Sequence, residues 1–373
     1  MSHAELSTVK HRVRLGVPLP FNVRDADRTL LLARGQQIDS WEQLTTLFKR
    51  GALVDLTELQ SAREAILQAP RAALPGLWAR CLSQVAQTLL SPQGATFTAV
   101  LDEAAIPVQA LIERDHDLAI FQVLRQGNND DVAYGAQRSL QSAITGYLVA
   151  QRLGWETAQC ERLFKVALTM NLSMLELQGQ LSRQTVPPTT EQRHELRTHP
   201  MRSVRILERS GVADEAWLMA VLQHHELEDG GGYPSGTTEV GDLASLARRA
   251  DVYTGKLSGR SSREALSADM AGRQMFMQDP GHPMTAALVK EFGIYPPGCY
   301  VRLNSGETGI VVQRGISITT PVVACLTTPG GLPLSQPSRQ ETTNKAHAVA
   351  CVVGEGSVKA RLPLDRLAAL VTA

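Results

Sequence analysis

Nothing in this 373-residue chain is spaced as a thiolate metal site: Cys81, Cys160, Cys299, Cys325 and Cys351 are scattered, with no C-x-x-C pair. An odd, dispersed set argues against a disulfide framework and fits a reducing cytoplasm. An excess of either charge is missing too, since Lys plus Arg and Asp plus Glu both number 37. Such a chain has no overall pull toward nucleic acid or an anionic membrane, so any anionic ligand needs a local cluster. Long apolar runs are also lacking. The opening MSHAELSTVKHRVRLGVPLPFNV has no apolar core of signal-peptide length, and no stretch approaches the ~18–20 apolar residues of a membrane helix. The expectation is a cytoplasmic protein with no anchor of its own.

What remains is ordinary soluble composition, 43% hydrophobic and 20% charged, in a chain long enough for two or three domains. Residues 1–60 read as a small α+β module. Arg12–Leu15, Phe21–Val23 and Thr29–Ala33 have strand character, and Asp25–Arg28 has turn chemistry. A helix capped by Asp39 or Ser40 follows, with Trp41, Leu44, Leu47 and Phe48 at helical spacing and Gly51 as its stop. Residues 61–285 show helical periodicity almost throughout, broken at Pro75-Gly76, Ser91–Gly94, Gly127–Asn129, Pro187-Pro188 and Gly230–Gly232. Residues 286–373 turn to strand patterning. A hairpin is expected over Tyr300–Val312, further strands at Val322–Leu326 and Ala348–Val353, and a polar Pro/Gly-rich loop over 328–345. The fold class expected is mostly α: a helical core between a small α+β module and a small β-barrel-like module.

The chemistry concentrates in Gln223-His224-His225-Glu226-Leu227-Glu228-Asp229-Gly230-Gly231-Gly232-Tyr233-Pro234. Adjacent histidines on a helix point about 100° apart, toward two neighbouring metals rather than one. The glycines let backbone turn sharply and approach a ligand. His199-Pro200 lies upstream; Ala250-Asp251-Val252-Tyr253, Arg260 and Arg263 lie downstream. Any one of these residues alone is more commonly structural; their joint order and spacing carry the weight.

This pattern resembles the HD-GYP domains, a branch of the HD superfamily of metal-dependent phosphohydrolases that cleave the bacterial second messenger cyclic di-GMP. His224-His225-Glu226, Asp229-Gly230 and Gly232-Tyr233-Pro234 look like the family signature, and His199-Pro200 is similar to its H-P step. Ala247-Arg248 with Ala250–Tyr253 matches the A-R…A-D-x-Y helix, and Arg260 and Arg263 fall where the R-P-x-R element supplies cations for phosphates. The resemblance implies Gly232, Tyr233, Pro234, Arg260 and Arg263 as ligand-binding residues, and covers roughly residues 130–280. In its first half the family's ligands are replaced. Alignment on Ser139 puts Arg138 at a histidine position and Tyr134 at an acidic one. Asn171-Leu172 stands where the His-Asp pair is expected, and Leu175 where its lysine is expected.

The residual candidate ligands are His199, His224, His225 and Asp251. A guanidinium a few ångström from a divalent cation is repelled by several kcal/mol even at an effective dielectric of about 20, and a two-metal mechanism needs a clamp on both sides. No catalytic residue is expected. The cofactor complement expected is none, or at most one weakly held divalent ion, iron or manganese. Arg138 is expected either to pair with Asp251 or a neighbouring acid, or to face solvent. The functional expectation is a non-hydrolytic signalling protein that binds a cyclic dinucleotide or a partner such as a GGDEF protein. The alternative is an active cyclic di-GMP phosphodiesterase whose substitute ligands come from His194, Glu195, His116 or Asp117.

Overall fold

The computed structural model describes residues 3–92, 94, 96–125, 131–358, 360 and 362–373. The break expected at Gly127–Asn129 lies outside the described residues. The chain divides into two compact units, Met1–Ala69 and Pro70–Ala373.

The first unit carries a four-stranded sheet of β1 (His3–Glu5), β2 (Val23–Arg24), β3 (Leu30–Leu32) and β4 (Leu53–Asp55), in the order β1-β4-β2-β3. Helix α1 (Trp41–Lys49) starts where the Ser40 hydroxyl accepts from the Gln43 N–H, and Gly51 follows its end at φ +65°. Helix α2 (Ala62–Gln68) closes the unit. Leu6, Phe21, Val23, Ile38, Leu44 and Val54 form its core. The strand expected over Arg12–Leu15 is absent: a 3-10 helix runs over Leu6–Arg12, and Val13–Leu15 are in no strand. Glu5 accepts from the Ser7 and Thr8 hydroxyls there, which favours a tight turn, and Leu6 and Val9 are buried at its three-residue spacing.

The second unit is mostly helical: α3 (Leu74–Leu90), α4 (Phe97–Arg114), α5 (His116–Leu124), α6 (Asp131–Arg152), α7 (Thr157–Thr169), α8 (Leu175–Arg183), α9 (Thr190–Arg209), α10 (Glu215–Gln223), α11 (Asp242–Leu257), α12 (Ala268–Gln278) and α13 (Pro283–Phe292). Helix α6 is its axis, buried on every face from Ser139 to Ala150, with α7, α8 and α11 packed around it. Gly135 lets α8 approach, because a Cβ there would overlap the Leu175 carbonyl. Pro75, expected as a break, sits in the first turn of α3, where its missing N–H costs nothing. No helix among the described residues is long and apolar enough to cross a membrane.

The C-terminal strands β5 (Tyr300–Leu303), β6 (Thr308–Gln313), β7 (Val322–Thr327), β8 (Pro333–Glu341) and β9 (Val349–Val352) make one antiparallel sheet, ordered β8-β7-β6-β5-β9, before α14 (Leu364–Thr372). Among the described residues no pairing joins β8 to β9, so the expected barrel is an open sheet here. The 328–345 segment, expected as a loop, contains β8. That strand lies at the sheet edge, pairs only with β7, and is largely exposed. An edge position tolerates its polar residues and Pro337, which has no N–H to donate.

Candidate metal centre and ligand cleft

Three imidazoles meet where the middle of α9 faces the end of α10. His199 projects from α9, whose first turn is fixed by a capping box between Thr189 and Gln192. His224 caps α10, and His225 follows in the turn. The adjacent histidines were expected within a helix, diverging toward two metals. Because α10 stops at Gln223, the rings instead converge, with centroids 4.3 Å apart. Ligand atoms of His199, His224 and His225 all lie within 4.8 Å of one another.

The protonation of this cluster follows from its backbone contacts. His199 Nδ1 is 2.7 Å from the Leu196 carbonyl, and His224 Nδ1 is 2.7 Å from the Val221 carbonyl. A carbonyl accepts only from N–H, so both protons sit on Nδ1 and both Nε2 atoms keep lone pairs. These two Nε2 atoms are 3.0 Å apart. Burial, then the His224 charge, pushes His199 down to about 3; burial and the neighbouring imidazole push His224 and His225 down to about 3 as well. Neutral rings with apposed lone pairs, each oriented through its other nitrogen to a carbonyl, fit a single divalent cation.

The other expected ligand is engaged elsewhere. Arg138 on α6 is 4% exposed and donates from Nη2 to both Oδ1 and the carbonyl oxygen of Asp251 on α11, each at 3.0 Å. Ser142 adds a hydrogen bond to the same Oδ1 at 3.1 Å. Of the two placements open for Arg138, the structure has the ion pair with Asp251.

Beside these groups opens a cleft of about 370 Å³, lined by Tyr134, Arg138, His225, Tyr233, Asp251 and Arg260, with an apolar wall of Met174, Leu181, Val186, Pro187, Pro188 and Leu196. Tyr233 stacks on His225 with ring centroids 4.6 Å apart, and the Arg197 guanidinium lies 5.6 Å from its ring. Gly232 is needed beneath: a Cβ there would overlap backbone of His225, Glu226 and Leu227. Pro234 follows, and the next residue, Ser235, donates its N–H to Glu226 Oε1. Arg263 does not line the cleft; its Nη2 donates to the Gly255 carbonyl at 2.6 Å. Leu172 and Leu175 are buried. Asn171 is buried with both amide atoms lacking a partner among the described residues, as do Tyr134 Oη and Glu226 Oε2.

Sequence reasoning passed over Arg249. This residue is 1% exposed and binds Asp279, Thr285, Ser245 and Glu228, so one cation ties the loop after His225 to the end of α12. Its signal was a lone charge in phase with Ser245 and Tyr253 on a buried helix face.

No protein-family model matches the chain. A 134-residue stretch is 37% identical to a cyclic di-GMP phosphodiesterase of Pseudomonas aeruginosa, covering 34% of this chain and 32% of that protein. A solved HDG"Y"P protein of Bdellovibrio bacteriovorus superposes with a TM-score of 0.50 over 78% of this chain and 98% of that one, at 17% identity. Part of this chain is similar in sequence to a cyclic di-GMP phosphodiesterase, and its fold is similar to that of an HDG"Y"P protein. The chain thus spans about a third of the Pseudomonas protein's length, and the Bdellovibrio likeness concerns fold alone. Within this fold, His199, His224 and His225 form a group with the spacing to hold a metal ion.

Proposed function

We propose that this protein is a non-hydrolytic HD-GYP signalling protein whose cleft binds a cyclic dinucleotide. The observation that supports this is the Arg138–Asp251 ion pair, in which a buried guanidinium engages the part-buried carboxylate expected as a metal ligand. His199, His224 and His225 would hold one ion, which when bound would supply Lewis-acid polarisation of a phosphate oxygen. The chain's own residues then bind rather than cleave. Tyr233 and the apolar wall offer ring and aliphatic surface, and Arg260 faces a phosphate. A GGDEF-type protein partner at the same surface is the other occupant this reading allows.

The orphaned Asn171 amide and Glu226 Oε2 favour the second reading, a phosphodiesterase with an altered metal site, since buried polar atoms without partners invite an ion or water. One experiment separates the two. Metal content is measured on purified protein together with cyclic di-GMP calorimetry and hydrolysis. At most about one ion per chain, binding weakened about tenfold by Arg260→Ala, and no hydrolysis are expected. Two ions with turnover would sink the proposal and establish the second reading.

A further inference from the structure

A separate cavity of about 650 Å³ lies between α11, α12 and α13, away from the histidines. Its walls are Tyr253, Phe276, Val289, Ile294 and Ile318. Ala268 and Gly272, one turn apart on α12, have little or no side chain and line the cavity, with Val289 packed close to Gly272. Phe276 is 47% exposed at the mouth although its face is apolar.

Polar groups sit at two depths. Deep in the wall, Tyr253 is 1% exposed, and its hydroxyl has no partner among the described residues; Asp269 Oδ1 is likewise buried and unpartnered. Burial, with the nearby Cys299 and Asp269, pushes the Tyr253 phenol well up, so its proton stays on. At the rim stand three cations. Arg152 is bound to Glu291, whereas Arg273 and Lys290 are exposed and form no ion pair among the described residues. An unsatisfied buried hydroxyl and carboxylate oxygen are costly unless something meets them, and an apolar pocket with a few convergent polar groups is the usual form of a small-molecule site.

We propose that this cavity binds an aromatic organic acid. The ring body lies in the cavity against Phe276, Val289, Ile294 and Ile318. The acid group meets Arg273 and Lys290, and an N–H or O–H on the ring system meets Tyr253 Oη and Asp269 Oδ1. The apolar walls select a ring body, the rim selects negative charge, and the buried oxygens select a donor.

The probe is 8-anilinonaphthalene-1-sulfonate, which has two aromatic groups, an N–H and an anion; N-phenyl-1-naphthylamine is the same body without the anion. Both are titrated into the full chain by fluorescence. A single saturable site is expected for each. The double variant Arg273→Glu/Lys290→Glu should weaken the sulfonate about tenfold or more while leaving the uncharged dye within roughly twofold, as expected for lost charge-assisted bonds. Gly272→Leu, which adds bulk to the cavity wall, should remove both. Because that change touches a helix contact, the charge reversal at two exposed positions carries the test independently. Sulfonate affinity unmoved by charge reversal, many equivalent weak sites, or no saturable binding at all would each overturn the proposal.

Discussion

The two sides of the cleft solve the same electrostatic problem differently. On the α9–α10 side, three imidazoles, two of them fully buried, stay neutral, and His199 and His224 direct lone pairs at one another, an arrangement that a cation would relieve. On the α6–α11 side a carboxylate is already neutralised by a guanidinium that is part of the fold. One side is open to an exchangeable charge and the other is closed by a covalently attached one. The difference teaches that two walls of one cleft can differ in whether the charge they call for is already supplied within the fold.

The comparison is broken most forcefully at Arg138. Arg138→Met should cost roughly 3–5 kcal/mol in a urea denaturation, because it strands Asp251 without its buried partner. Adding Asp251→Leu should recover much of that loss, since an apolar pair of similar volume can replace a buried ion pair. No recovery would mean that Arg138 stabilises through packing instead of charge.

Acid sharpens the comparison from the histidine side. His199, His224 and His225 titrate near 3 in the folded chain, against an ordinary 6.5. Below pH 6.5 the unfolded chain takes up protons that the folded cluster refuses. Stability therefore falls as pH drops from about 6.5 toward about 3, and is flat for these groups above that window. Urea midpoints at pH 7.5 and 5 should show the fall, and His199→Gln should make it shallower. If a divalent ion occupies the cluster, a chelator will lower the neutral-pH midpoint and lessen this acid dependence. Equal acid sensitivity in His199→Gln would dissociate the cluster from the effect.

The smallest effect belongs to the helix that presents His199. Thr189→Ala removes the α9 cap bond to Gln192 N–H and should cost about 1 kcal/mol. Hydrogen exchange should rise in the first turn of α9 with little change around Arg138, which distinguishes local fraying from disturbance of both sides.

Much of the site was legible because it depends on residue type. An arginine among apolar helix positions announces a charge that needs a partner, and Asp251 supplies it. The convergence of His224 and His225 was not legible, since it depends on α10 ending at Gln223, two residues short of carrying both histidines. Local pattern also missed β8. Its residues face solvent on both sides at a sheet edge, so alternation between polar and apolar gives no signal. The helical core read correctly because Leu140, Ile144, Tyr147 and Leu148 recur at helical spacing along α6. Arg249 escaped because its three acidic and hydroxyl neighbourhoods come together only in the tertiary structure.

Helix α11 has a consequence that reaches past either cavity. Asp251 and Tyr253 are two residues apart, about 200° around the axis, so opposite flanks of the same rod border the histidine cleft and the apolar cavity. Rolling that rod would reorient both side chains together, like two pegs on one axle. Occupants of the two flanks that favour different roll angles must alter each other's affinity by the same factor, whichever arrives first.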